Sequence, residues 1–326
     1  MGTDRRDGGT RILAFASLLG MRTLQFVALA IVMTIAFAVA PLISGVVAQP
    51  AGAQPSGPAP AAEPSSSILL LLLLVCALGA AVLGYLILES TWRGWKLIGA
   101  IFIAFYGSNT VVAQMESLVY LGTKLPAGMI PRLFMMGFLL AAVFSPLDVV
   151  ILGKARTKTA TEAAPRDSEA PWGASEWIWK LGVIAVGYLI LYYGFGYFVA
   201  WKHPAVREFY GGTDPGSFFA QMAWIWDTTP WMFPFQILRA LLWTLFVLPV
   251  IRMLEGSVWK VGLSTAFLFA VWSSQLLLPN PFMPEAVAHT HFVETVMSNF
   301  LFGFLVGSLL ARPHAVSRRE LATAPA

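Results

Sequence analysis

From Ile68 to Leu88 the chain runs through Ile, Leu, Val, Ala, Gly, Cys and Tyr without one charged side chain. A run of that length matches the roughly 20 residues an α-helix needs to cross a bilayer. Seven further runs of similar length and character follow the same rule. Together they predict spans at residues 23–47, 68–88, 97–121, 131–153, 177–201, 232–254, 258–278 and 291–311. The predicted class is therefore all-α, a polytopic integral membrane protein of about eight transmembrane helices. No run shows the strict polar–apolar alternation of a membrane β-strand, which removes a barrel.

Composition agrees. Of 326 residues 57% are hydrophobic and only 12% charged, with a mean hydropathy of +0.71. A soluble domain carries about 25% charged residues, so this outer surface is built for lipid. The formal charge of +4 does not point to nucleic acid. The basic residues lie between apolar runs, where they set orientation. The single cysteine, Cys76, sits inside a span, so no intrachain disulfide and no cysteine metal cluster exists.

Orientation follows from lysine and arginine. With the N-terminus inside, the inner side holds Arg5, Arg6, Arg11, Arg22, Arg93, Lys96, Lys154, Arg156, Lys158, Arg166, Lys180, Arg252, Lys260, Arg312, Arg318 and Arg319. The outer side and outer membrane half hold Lys124, Arg132, Lys202, Arg207 and Arg239. This predicts both termini inside a plasma membrane of bacterial type. A tail at 1–22, a loop at 154–176 and a tail at 312–326 then face the cytoplasm. The stretch 48–67, rich in Pro, Ala, Gly and Ser, reads as an external linker. Ala51-Gly52-Ala53 could be a signal-peptide cleavage site. The apolar run before it exceeds the usual 7–15 residues of a signal core, so the first span is predicted to stay.

Two local matches suggest an internal duplication. Leu88-Glu89 returns as Leu254-Glu255, displaced by 166, and Trp95-Lys96 as Trp259-Lys260, displaced by 164. Phe134-Met135-Met136-Gly137 resembles Phe300-Leu301-Phe302-Gly303, also displaced by 166. Spans one to four (23–153) would repeat as five to eight (177–311). Four spans per unit makes the repeat parallel, with an axis along the membrane normal. Gly137/Ala141 and Gly303/Gly307, four residues apart, are predicted close-approach points for neighbouring helices.

Charges inside a bilayer are costly and mark a protein interior or a wet cavity. Arg239 lies about 10 Å into the sixth span. It needs a counter-ion, for which Glu294 is the preferred candidate and Glu116 the second. His291, Glu294 and Ser298 share one face of the eighth span. Asn109 and Glu116, seven apart, share a face of the third, and Arg132 opens the fourth. These residues predict an outward-facing polar pocket. His289, His291 and Glu294 form the candidate metal set, although His-x-His-x-x-Glu is a weak spacing for zinc or iron. Asp148, after Pro146, lies close enough to the inner end to reach water. Between the fifth and sixth spans, residues 217–226 are too aromatic for a free loop and predict an interfacial helix.

No motif names a reaction or a cofactor. No Glu-Glu pair occurs, which removes the signature of CAAX-type intramembrane proteases. The functional expectation is a transporter or binder of a small solute or lipid. A membrane-embedded enzyme using the His/Glu cluster, or an accessory membrane subunit, is the alternative. The expected partners are the lipid bilayer and a small-molecule or lipid ligand.

Overall fold

In a hydrocarbon environment each backbone N–H and C=O must find its partner within the protein, which leaves the helix as the economical solution for these runs. The computed structural model describes residues 4–47, 66–122, 125–156, 172–214, 216–280 and 282–311; in the first helix, side chains are described for residues 20–41 and 43. Most of the predicted linker, most of the predicted inner loop and the C-terminal tail lie outside the described residues.

The chain forms α1 (Asp4–Val47), α2 (Ser66–Glu89) and α3 (Gly94–Phe105), then a π-helical segment at Tyr106–Val111 continued by α4 (Val112–Tyr120). Next come α5 (Met129–Ile151) and α6 (Ala174–Phe195), the latter continued by a second π segment at Gly196–Trp201. Two short helices come after it, α7 (Pro204–Tyr210) and α8 (Phe218–Thr228). The chain closes with α9 (Met232–Met253), α10 (Val258–Val271) with a 3-10 continuation at Trp272–Leu277, and α11 (Glu285–Leu310). No strand of a sheet is present among the described residues; a single antiparallel bridge joins Ser90 and Leu254.

Among the described residues seven helical stretches are long and apolar enough to cross a membrane, from Gly20–Pro41 through Glu285–Leu310. Their outward faces carry Leu24, Leu70, Ile178 and Ile190, all exposed. So much apolar surface on helices of spanning length suits contact with lipid. The chain is thus a polytopic membrane protein. The expected seventh span, 258–278, differs from the rest. Its α-helix ends at Val271, and the remaining turns are 3-10, with the Ser274 hydroxyl bonded to the Val271 carbonyl at 2.6 Å. The first helix also begins earlier than expected, at Asp4 rather than residue 23.

The packing follows small residues. Apolar side chains gain nothing by leaving lipid for each other, so close backbone approach must hold the helices. A Cβ on Gly137 would lie 2.0 Å from the Thr110 hydroxyl. On Gly303 it would lie 2.6 Å from the Thr265 carbonyl, and on Gly307 2.7 Å from that of Val261. The sequence-predicted small-residue pairs therefore sit at real helix contacts, and α10 against α11 is the most extensive of them. Within the first part of the bundle α1 packs on α2 and α5, and α3 on α5. Within the second part α6 packs on α9 and α11, and α10 on α11. Across the middle, α3 meets α9 and α10 meets α2.

The central seam is polar. Thr91 donates to the Met253 carbonyl through its N–H at 2.9 Å and its hydroxyl at 3.1 Å. The Trp272 indole donates to Ser108 Oγ at 2.9 Å, and the Gln275 amide to Asn109 Oδ1 at 2.7 Å. Phe105 stacks on Trp272 at 4.8 Å. At the end of the bundle where α2 stops, Lys154 donates to the Leu88 and Ser90 carbonyls, at 3.0 and 2.8 Å. A cation there satisfies acceptors that the finishing helix leaves free.

Candidate functional site

Arg239 and Gln236, three residues apart on α9, present side chains from one helix face. Both are buried, Arg239 at 4% exposure and Gln236 at 0%. Arg239 Nη1 donates to Gln236 Oε1 at 2.8 Å, and Nη2 to Glu116 Oε2 on α4 at 2.9 Å. The guanidinium carbon lies 5.9 and 5.8 Å from the ring centroids of Tyr188 and Tyr192 on α6. Aromatic faces attract a cation at that range, and more strongly where water is excluded. The pair is uneven. The Arg239 side chain is 5% exposed and that of Glu116 38%, so the site opens on the carboxylate side.

The partner is therefore Glu116, and the preference for Glu294 is corrected. The reason lies in α11, where Glu294 Oε2 is 2.6 Å from His291 Nδ1. A carboxylate accepts from Nδ1–H, which leaves Nε2 to meet a second partner. The Tyr210 hydroxyl lies 3.2 Å from that nitrogen. Tyr210 ends α7, outside the spans. Burial, then the charges of Glu116 and Glu294, push its phenol well above the ordinary tyrosine range. It stays protonated and shares a hydrogen bond with His291. Tyr210 packs edge-on against Tyr120 at 6.0 Å, and the Tyr120 hydroxyl is 2.6 Å from that of Tyr192. One continuous cluster thus links Glu294, His291 and Tyr210 to Tyr120, Tyr192, Arg239 and Glu116.

The two π segments help to assemble it. A π turn takes one extra residue, which rotates the next part of the helix by about 100° around the axis. Across Tyr106–Val111 this separates Asn109 from Glu116, which an unbroken helix would have aligned. Asn109 turns to Gln275 in the central seam, while Glu116 turns to Arg239. In the second π segment Gly196 comes close to Glu294, since a Cβ there would sit 3.6 Å from Oε1.

The other expected site residues divide. Ser298 makes no hydrogen bond within the cluster among the described residues. Arg132, at the start of α5, has a buried Nε without a partner there and does not join Arg239. His289 is exposed and faces Glu285, at 3.9 Å. Residues two apart on a helix diverge, so His289 is not brought to His291 and Glu294. Among the described residues no three His, Cys, Asp or Glu side chains gather as a metal site. Asp148 is fully buried rather than wetted, and neither carboxylate oxygen has a partner among the described residues.

Sequence reasoning missed Tyr120, Tyr188, Tyr192, Tyr210 and Gln236. The signal was the i, i+4 pair Tyr188/Tyr192 and the i, i+3 pair Gln236/Arg239, polar tips recurring on one face inside apolar runs. The connection 202–231 also contains α7, not only the aromatic helix expected there. That aromatic helix is α8, with Phe219, Trp224 and Trp226 exposed and no buried residue. Near it, Arg207 reaches Asp214 at 3.6 Å, and the Gly216 N–H holds the Asp214 carboxyl below its usual range.

Fold and site together define an all-helical polytopic membrane protein with a buried arginine–carboxylate centre ringed by phenols. No family of known proteins, no curated protein and no solved structure matches the chain.

Proposed function

We propose that this protein binds, and carries across the membrane, a small solute or lipid bearing an oxyanion, with the Arg239–Glu116 cluster as its outward-facing pocket. The observation that carries the reading is the surplus of buried donors. Arg239 Nε and Gln236 Nε2 are buried without an acceptor among the described residues. Buried polar groups are ordinarily satisfied, and a guanidinium N–H with a neighbouring amide N–H, both lacking an acceptor, suits a carboxylate or phosphate oxygen. Embedded charges at a helix junction are the usual mark of a substrate path.

Thermal unfolding of the purified protein with a panel of carboxylates, phosphates, amines and neutral solutes tests this. A ligand at 100 times its Kd should add about 2.7 kcal/mol. Stabilisation is expected from oxyanions and not from amines. Stabilisation by amines alone, or by nothing in the panel, would sink the proposal.

A second reading rests on one arrangement, the Glu294–His291–Tyr210 chain. A carboxylate orienting an imidazole toward a phenol is the layout of a general base. A membrane-embedded enzyme built on it would lose turnover on His291→Gln while still binding the oxyanion.

The same reading takes the chain as eight spans in two four-helix units, both termini inside a bacterial-type plasma membrane. Along a twofold axis a residue meets its own copy. The seam contacts Ser90–Leu254, Ser108–Trp272 and Asn109–Gln275 join residues 164, 164 and 166 apart, close to the sequence offsets. The helix contacts are also exchanged by matching α1 with α6, α2 with α9, α3 with α10 and α5 with α11. Both support a parallel duplication, and with it a span at 258–278. Reporter fusions at Gly52 and Thr161 are expected to read outside and inside. The same side for both would refute the topology.

A further inference from the structure

Between α3 and α9 lies a groove of ≈ 570 Å³ whose lining includes none of the clustered tyrosines. Ile103 and Leu245 belong to its apolar wall, and Trp92, Trp95, Lys96 and Arg252 close the end where α3 begins and α9 finishes. Trp95 is 82% exposed, and Lys96 Nζ sits 3.8 Å over the Trp92 ring. Neither Lys96 nor Arg252 has a carboxylate within ion-pair distance among the described residues. The corresponding lysine of α10 differs, since Lys260 is neutralised by Glu89. Of these two matching lysines, only the one at the groove keeps its charge without a carboxylate among the described residues.

We infer that this groove is a binding site for an anionic phospholipid. The acyl chains lie along the apolar wall and the phosphate diester rests between Lys96 and Arg252. The occupant follows from charge and depth. An apolar slot facing hydrocarbon is covered by an acyl chain in any bilayer, but two unpaired cations at its surface end select a negative headgroup. Tryptophan is favoured at headgroup level, and Trp92 and Trp95 flank that end. Phe246 forms the deep side of the slot, where it closes on Gly107; a Cβ on that glycine would fall 2.1 Å from the Phe246 ring. The inference rests on the membrane placement of the helices and not on the oxyanion pocket.

Native mass spectrometry of the full chain in detergent, titrated with dioleoyl phosphatidylglycerol or dioleoyl phosphatidylcholine, tests it. Phosphatidylglycerol is expected to stay bound where phosphatidylcholine dissociates. The variant Lys96→Gln/Arg252→Gln is expected to bind phosphatidylglycerol about thirtyfold more weakly, the effect of two headgroup-level charges. Lys96→Arg/Arg252→Lys should keep the affinity. If the double variant does not fold, each single Gln variant should weaken binding about fivefold on the same basis. Equal retention of both lipids, undiminished binding by the Gln variants, or a dimer that Trp95→Ala dissolves would each overturn the assignment, the last by showing that a second copy covers the groove.

Discussion

Replacing Glu116 by alanine is expected to destabilise the protein by about 3–5 kcal/mol, the usual cost of leaving one member of a buried ion pair alone. Replacing Arg239 by methionine is expected to cost less. The asymmetry comes from exposure. The Arg239 side chain is 5% exposed, so its charge has no access to water once Glu116 is gone. Glu116 is 38% exposed, and an orphaned carboxylate there can rehydrate. The combined Arg239→Met/Glu116→Leu protein should recover most of the loss, because replacing both members with apolar groups of similar size is often neutral. Reversible unfolding in mixed micelles would measure all three. A double-mutant cycle of Arg239 with Glu294 should show weak coupling, since Glu294 is engaged by His291. A stronger coupling of Arg239 to Glu294 than to Glu116 would refute this account of the site. Solute stabilisation measured on the same variants separates the roles. A structural pair can be replaced without loss of ligand response, whereas a binding pair cannot.

Gly303→Leu is expected to prevent accumulation of folded protein. Most large insertions into a packed contact cost about 1–3 kcal/mol, because a neighbouring side chain can turn aside. Here the obstacle is backbone. A Cβ alone would lie 2.6 Å from the Thr265 carbonyl oxygen and 2.8 Å from the Ala266 Cα. Only separation of α10 from α11 can relieve it, and that contact is the largest in the bundle. Gly137→Leu should be nearly as harmful, since the Thr110 side chain it meets is branched at Cβ and stiff. Gly182→Leu on α6 is the control. Nothing lies within 4 Å of its Cβ position, so the change should not destabilise, and losing a mid-helix glycine should add up to about 1 kcal/mol. Yield and size-exclusion profile in detergent read the result. A Gly303→Leu protein that folds and unfolds like the parent would show that α10 and α11 do not meet through this glycine.

The membrane class was legible in the sequence because it depends on length and hydropathy, which are additive along the chain. An uninterrupted run such as 68–88 has one outcome in lipid, whatever its neighbours do. The close-approach glycines were legible for a related reason, since spacing on a helix is a local property. So was the embedded position of Arg239 and its need for a carboxylate. The identity of that carboxylate was not. Glu116 and Glu294 both stand toward the same predicted side of the bundle, and choosing between them requires the rotation of each helix about its axis. The π segment at 106–111 sets that rotation for α4, turning Asn109 to the seam and Glu116 to Arg239. No local pattern announces a π turn, because its wider loop is stabilised by what packs on it. The phenol ring was hidden for the same reason. Tyr188 and Tyr192 look like ordinary span residues until α4 and α9 are brought against them, and Tyr210 reaches His291 only because α7 folds back toward α11. Tertiary contact alone brought these groups together, since pairing in a medium without water is decided by which helix faces meet.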